Sequence, residues 1–255
     1  RLAFAGSTNN PQTVWLSVSE SYEDMDVATA TADAALIYTI ATDQVNAIRW
    51  LSASKVLMLG TSGGIFSLSS GDDATALTPA NVVVNREAAY GVAALVPKQI
   101  GNYAFYVQRD TLIIRELAYS LEIDARKATN ITILSEHITA GGIVDMDYQQ
   151  SPNTLLWVVR GDGKLATLTR EIDQEVAAWT EQTPSGTSAA YENVAVIQSA
   201  TATEGDEVWF VVKRTINGVT TRYVEFLETF DWGSDNKDAF FVQSGLTYDG
   251  ASTTT

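Results

Sequence analysis

Turn chemistry that returns at a nearly constant interval constrains this chain more than any other feature. Ser62-Gly63-Gly64, Arg109-Asp110, Gly161-Asp162-Gly163 and Asn217-Gly218 each separate two short apolar runs. Asn-Gly and Asp-Gly between such runs are strong hairpin signals, because both residue types tolerate positive φ. The central residues Gly63, Asp110, Asp162 and Asn217 stand 47, 52 and 55 residues apart, and Asn9-Asn10-Pro11 provides an earlier turn, with Asn10 53 residues before Gly63. A period near 50 residues with several strands per period is the pattern of propeller blades, since one small sheet cannot bury both faces but stacked sheets can. The chain is therefore expected to be all-β, a propeller-like ring of about five blades, with a β-sandwich of irregular hairpins as the other architecture these runs allow.

Expected strands are Asn46–Leu51, Val56–Thr61, Ile65–Leu68, Val92–Val96, Tyr103–Gln108, Leu112–Leu117, Ile143–Tyr148, Leu155–Val159, Leu165–Thr169, Val194–Ile197, Val208–Val212 and Thr221–Leu227. Large residues on central strands (Phe105, Trp157, Trp209) suit packing between neighbouring sheets. Short helices are expected at Asn85–Tyr90 and Glu171–Ala178, and polar loops at residues 20–35 and 228–238. Leu2 to Leu16 is expected to form a blade that Phe240-Phe241-Val242 completes from the other end. Residues 1–244 read as one propeller-like domain and 245–255 as the start of a following segment, both ends having the look of a cut from a longer polypeptide.

Composition narrows the function classes. The 255 residues contain no cysteine, which removes disulfides, thiolate nucleophiles and zinc ribbons. With 31 acids against 16 bases the net charge is −15. Recognition of duplex DNA from outside needs many Lys and Arg contacts to phosphate, and no basic cluster occurs. Like charge would instead keep DNA from adhering to a conduit wall. No apolar run approaches the ~18 residues of a membrane span.

Candidate sites are few. Gly60-Thr61-Ser62-Gly63-Gly64 matches G-x-S-x-G, but a nucleophile elbow needs a helix after the turn, and Ile65–Leu68 alternates as a strand. His137, the single histidine, cannot build a multi-histidine metal site. Asp145 and Asp147 lie two apart on an expected strand and so share a face. With Tyr148 and Trp157 nearby they frame a glycan-binding or glycan-hydrolysing alternative, which needs a second carboxylate facing across the sugar at ~5–9 Å. Glu20, Glu23, Asp24 and Asp26 form an acidic loop without the spacing or glycine of a calcium loop. Arg160-Gly161-Asp162 is an adhesion-type tripeptide inside a hairpin, and Asn130-Ile131-Thr132 fits a glycosylation acceptor. Trp179, Tyr191 and Trp232 are candidate interface aromatics, and the loops around Glu20–Asp33 and Phe230–Lys237 candidate contact sites. No catalytic, cofactor or metal residue is assigned; a binding and assembly role, not an enzyme, is expected.

Several runs resemble a known family: Gln44 to Leu51, Leu59 to Gly64, Val107-Gln108-Arg109, Arg115 to Tyr119, Glu136 to Met146 and Gly245 to Gly250. They are similar to tail tubular protein B, the nozzle component of short-tailed bacteriophages and prophages. The resemblance implies a virion subunit made in the bacterial cytoplasm. It also implies a homo-oligomeric ring in the full-length parent, other tail proteins (adaptor ring, fibres or tip) as partners, and a channel through which DNA passes without specific binding. It supplies no catalytic motif and no cofactor.

Overall fold

A computed structural model describes residues 1–27, 31–42, 45–72, 75–122, 125–199, 205–228, 233–236 and 241–245. The protein is all-β and propeller-like: antiparallel meander sheets follow one another along the sequence, each closed by the turns named above. Sheet I holds β1 (Ala3–Ala5), β2 (Thr13–Leu16) and β3 (Leu36–Thr39). Sheet II holds β4 (Ile48–Ala53), β5 (Leu57–Thr61), β6 (Gly64–Ser69) and β7 (Val83–Ala88). Sheet III holds β8 (Lys98–Ile100), β9 (Tyr103–Val107), β10 (Ile114–Ser120) and β11 (Ala125–Asn130). After the single-turn helix α1 (Glu136–Thr139), sheet IV holds β12 (Ile143–Gln149), β13 (Leu155–Arg160), β14 (Leu165–Glu171) and β15 (Val176–Gln182). Sheet V holds β16 (Ala190–Gln198), β17 (Asp206–Ile216) and β18 (Val219–Phe226). Five small consecutive sheets among the described residues exclude the two-sheet sandwich.

The chain divides into two compact units, Arg1–Gly142 with sheets I–III and Ile143–Thr255 with sheets IV and V. Within the first unit, Val14, Leu16 and Leu36 of sheet I pack with Leu59, Phe66 and Leu68 of sheet II. The opposite face of sheet II sends Trp50, Met58 and Ile65 against Tyr106 and Leu117 of sheet III. Within the second unit, Trp157, Val159 and Leu165 of sheet IV meet Val194, Val208, Phe210 and Val212 of sheet V. Strand alternation explains this: Leu59 and Met58 are consecutive, so their side chains leave the sheet on opposite faces. Sheet II thus has one face toward sheet I and the other toward sheet III.

The joints between sheets repeat one hydrogen bond. The Pro11, Thr61 and Gly163 carbonyls accept the N–H groups of Ile48, Val92 and Tyr191 at 2.8, 2.9 and 2.9 Å. In sheets II and IV the accepting carbonyl lies at the turn between the second and third strands. The β1–β2 turn holds the same place in sheet I, so sheet I consists of the second to fourth strands of the repeat. Sheet V consists of the first to third.

Four sequence expectations change. Asn85 lies in β7 and Glu171 in β14, not in helices. In the latter case Glu175, at φ +56, closes a turn that leads into β15. Val92 forms only an isolated bridge to Gln108, and the strand expected at Val92–Val96 is replaced by β8 further along. In sheet I, β3 pairs with β2, and no strand from the far end joins it among the described residues: Phe241 and Val242 are exposed and outside any strand, and Phe240 lies outside the described residues.

Candidate functional site

Asp145 and Asp147 stand on β12 facing the neighbouring sheet. The Asp145 carboxylate accepts the Val194 N–H at 3.0 Å and the Asn193 amide at 3.4 Å through one oxygen, and the Met146 N–H at 2.9 Å through the other. Asp147 repeats the pattern, taking the Val196 N–H at 2.7 Å and the Tyr148 N–H at 2.9 Å. The bonds from Val194, Val196 and the Asn193 amide come from β16 across the joint and are charge-assisted, while the Met146 and Tyr148 N–H groups belong to β12 itself. The two acids therefore fasten sheet V to sheet IV, and the glycosidase-pair reading fails on geometry. Trp157 does not line a sugar platform either: it is buried in the same joint, its indole N–H donating to Gln149 at 3.0 Å and its ring set edge-on to Phe210. Burial raises the Tyr148 and Tyr191 hydroxyl pKa values above the ordinary range.

The remaining motifs resolve into local structure. Thr61 and not Ser62 organises Gly60–Gly64: its hydroxyl donates to the Gly64 carbonyl at 2.8 Å and accepts the Gly63 and Gly64 N–H groups. Strand β6 follows directly, so no nucleophile elbow forms. His137 is exposed on the four-residue helix α1. Arg160, 5% exposed, is locked to Asp162 and Glu181, and Glu181 also receives Lys164 at 2.7 Å. The adhesion-type tripeptide thus keeps its arginine inside an ion network. The Lys164 hydrogen bond, then Arg160, holds the Glu181 carboxyl below its ordinary pKa. Asn130 accepts both the N–H and the hydroxyl of Thr132, which is buried. Glu20, Glu23, Asp24 and Asp26 are exposed, and among the described residues no group of three or more His, Cys, Asp or Glu side chains gathers as a cation cage. Trp179 is half-buried on β15 and Tyr191 packs on Phe210 at 5.4 Å. Trp232, Phe230 and Lys237 lie outside the described residues.

What the described residues do leave uncovered is one apolar face at each terminal sheet. On sheet V the partners Trp209 and Phe226, Val211 and Val224, and Ala195 and Trp209 are directly opposite, so they share the face turned away from sheet IV. Val224 is 70%, Phe226 55% and Ile197 50% exposed, and the Trp209 and Phe226 rings lie 5.4 Å apart. A bidentate ion pair from Arg222 on β18 to Glu192 on β16 borders the patch. On sheet I, Phe4, Trp15 and Ile37 are opposite one another on the face turned away from sheet II, with Phe4 53% and Ile37 52% exposed. Of these residues the sequence reading singled out only Trp209, as a packing residue. Alternation within Val219–Phe226 was the signal for Val224 and Phe226, but sequence does not say which face of an end sheet lacks a neighbour.

No family model matches the chain, and no curated protein matches it. Among solved structures it is similar to a Bacteroides fragilis protein provisionally assigned as a 6-phosphogluconolactonase (11% identity, TM-score 0.45, covering 89% of this chain and 70% of that one). A second is a Lactobacillus plantarum protein (15% identity, TM-score 0.41, 86% and 72% covered). The likeness to tail tubular proteins is corrected: no family model and no curated protein matches the chain, and neither solved structure is described as a tail protein. The runs that carried it, such as Leu59–Gly64 and Arg115–Tyr119, are strand and hairpin segments whose residues answer to turn geometry and core packing. Gln44 and residues 246–250 lie outside the described residues.

Proposed function

We propose that the chain is a non-catalytic binding module that docks a protein partner on the bare face of sheet V. The observation that carries this reading is the contiguous patch of Ile197, Trp209, Val211, Val224 and Phe226 on a face whose reverse side is core. Exposed apolar surface of this kind, rimmed by charge, marks interaction sites. The chemistry that fits it is another β-sheet presenting an apolar face, the same surface that the joints within each unit use.

The test has two arms. Val224→Asp and Phe226→Asp are expected to lower binding of an apolar fluorescent dye by roughly twofold or more without changing the far-ultraviolet circular dichroism. Unchanged dye binding would show that the patch is not accessible. Polysaccharides and sugar lactones are expected to pass through unconverted; turnover that Asp145→Asn abolishes in a folded variant would sink the non-catalytic reading.

A further inference from the structure

The two bare faces are of opposite sense. In sheet II, one face looks back to sheet I and the other forward to sheet III, and sheet IV turns its forward face to sheet V. Sheet I is left with a bare backward face (Phe4, Trp15, Ile37) and sheet V with a bare forward face (Trp209, Val211, Val224, Phe226). The strand inventory is complementary as well, since sheet I lacks a first strand and sheet V a fourth among the described residues. A forward face is what the backward faces of sheets II, III and V pack against. Both surfaces are aromatic and β-branched, the composition that joins sheets IV and V through Trp157, Phe210 and their valine neighbours.

Resting on the docking reading above, we infer that the partner is a second copy of this chain, bound head to tail with the forward face of sheet V of one copy on the backward face of sheet I of the next. Such an interface is heterologous: it uses different surfaces on the two copies and leaves one of each free at the ends. Association therefore continues past the dimer unless the rotation closes a ring. This extends the stacking that already builds the protein.

The experiment is concentration-dependent mass measurement by sedimentation and light scattering on the 255-residue chain. The unaltered chain is expected to grow beyond a dimer as concentration rises. Phe226→Asp (forward face) and Ile37→Asp (backward face) are each expected to remain monomeric alone. An equimolar mixture of the two is expected to form a 1:1 dimer and stop, because one intact forward and one intact backward face remain. Both positions are more than half exposed, so the folds should persist; Val224→Asp and Phe4→Ser provide second variants on each face. An unaltered chain that stays monomeric at every concentration overturns the inference, as does association that neither variant reduces or a mixture that behaves like its components. Monomeric behaviour with dye binding still sensitive to Val224→Asp would remove the second copy as partner while leaving the docking reading standing. Dye binding that is insensitive removes both.

Discussion

Asp145 accepts three N–H groups, two of them from β16, and Asp147 at least two, one of them from β16, at a joint that also buries Val194. Asp145→Asn replaces one acceptor oxygen by a donor, which must either face the Val194 N–H or turn away from it. A buried donor left without a partner costs about 1–3 kcal/mol, so Asp145→Asn should lower unfolding free energy in urea by roughly that amount. The double variant with Asp147→Asn should cost less than the sum, because the two sites share one strand pair. Glu181 gives a second residue-scale outcome. Its folded pKa lies below the ordinary 4.5. Its contribution is therefore full above about 4.5, the unfolded value, and is lost as pH falls through the folded one. The stability gap between the unaltered chain and Glu181→Gln should be largest near neutrality and close on acidification; urea titrations from pH 7 to 3 read it.

At the scale of elements, glycine positions separate conformational strain from steric exclusion. Gly218 in the β17–β18 hairpin sits at φ +80 with no atom near an added Cβ. Gly163, at φ +83, would place that Cβ 2.6 Å from the Ala190 Cβ, beside the joint where its carbonyl accepts Tyr191. Gly218→Ala should cost about 1 kcal/mol from the left-handed backbone alone. Gly163→Ala should cost clearly more, and thermal melts of both variants give the difference. These turns were also what sequence revealed best: Asn-Gly and Asp-Gly chemistry placed the hairpins of sheets IV and V, and the inner apolar strands followed from it. The outer strands β7, β11 and β15 were not legible. They are largely exposed and carry Arg86, Lys127 and Glu181 in place of an apolar run, so Asn85 and Glu171 were assigned to helices that the structure does not contain. The site was less legible still. A pair of aspartates two apart on a strand has the same sequence signature whether it faces a cleft or a neighbouring sheet, and only the position of β16 decides between them.

For the whole molecule, 31 acids against 16 bases make self-repulsion the dominant long-range electrostatic effect. Surface ion pairs such as Arg222–Glu192 work in the other sense but each is worth little when exposed. Raising ionic strength from about 0.01 to 0.15 M shortens the screening length from about 30 to 8 Å. The melting temperature should then rise by about 2–4 °C, the equivalent of roughly 1 kcal/mol for a chain of this size. A falling melting temperature would show that the ion-pair networks outweigh the repulsion. The same salt dependence bears on association, because two copies at −15 each repel until screened, and head-to-tail growth should be favoured at the higher ionic strength.

The joint between sheets IV and V is read from one side only. Asp145 and Asp147 must be what they are, but they grip main-chain N–H groups, which every residue except proline carries. The fastening imposes no identity on positions 194 and 196 beyond the packing needs of their side chains. Over generations of substitution β16 can drift in sequence while the clasp holds, whereas β12 cannot. A lineage could thus replace the last sheet with a different one, keep the two aspartates, and retain the attachment.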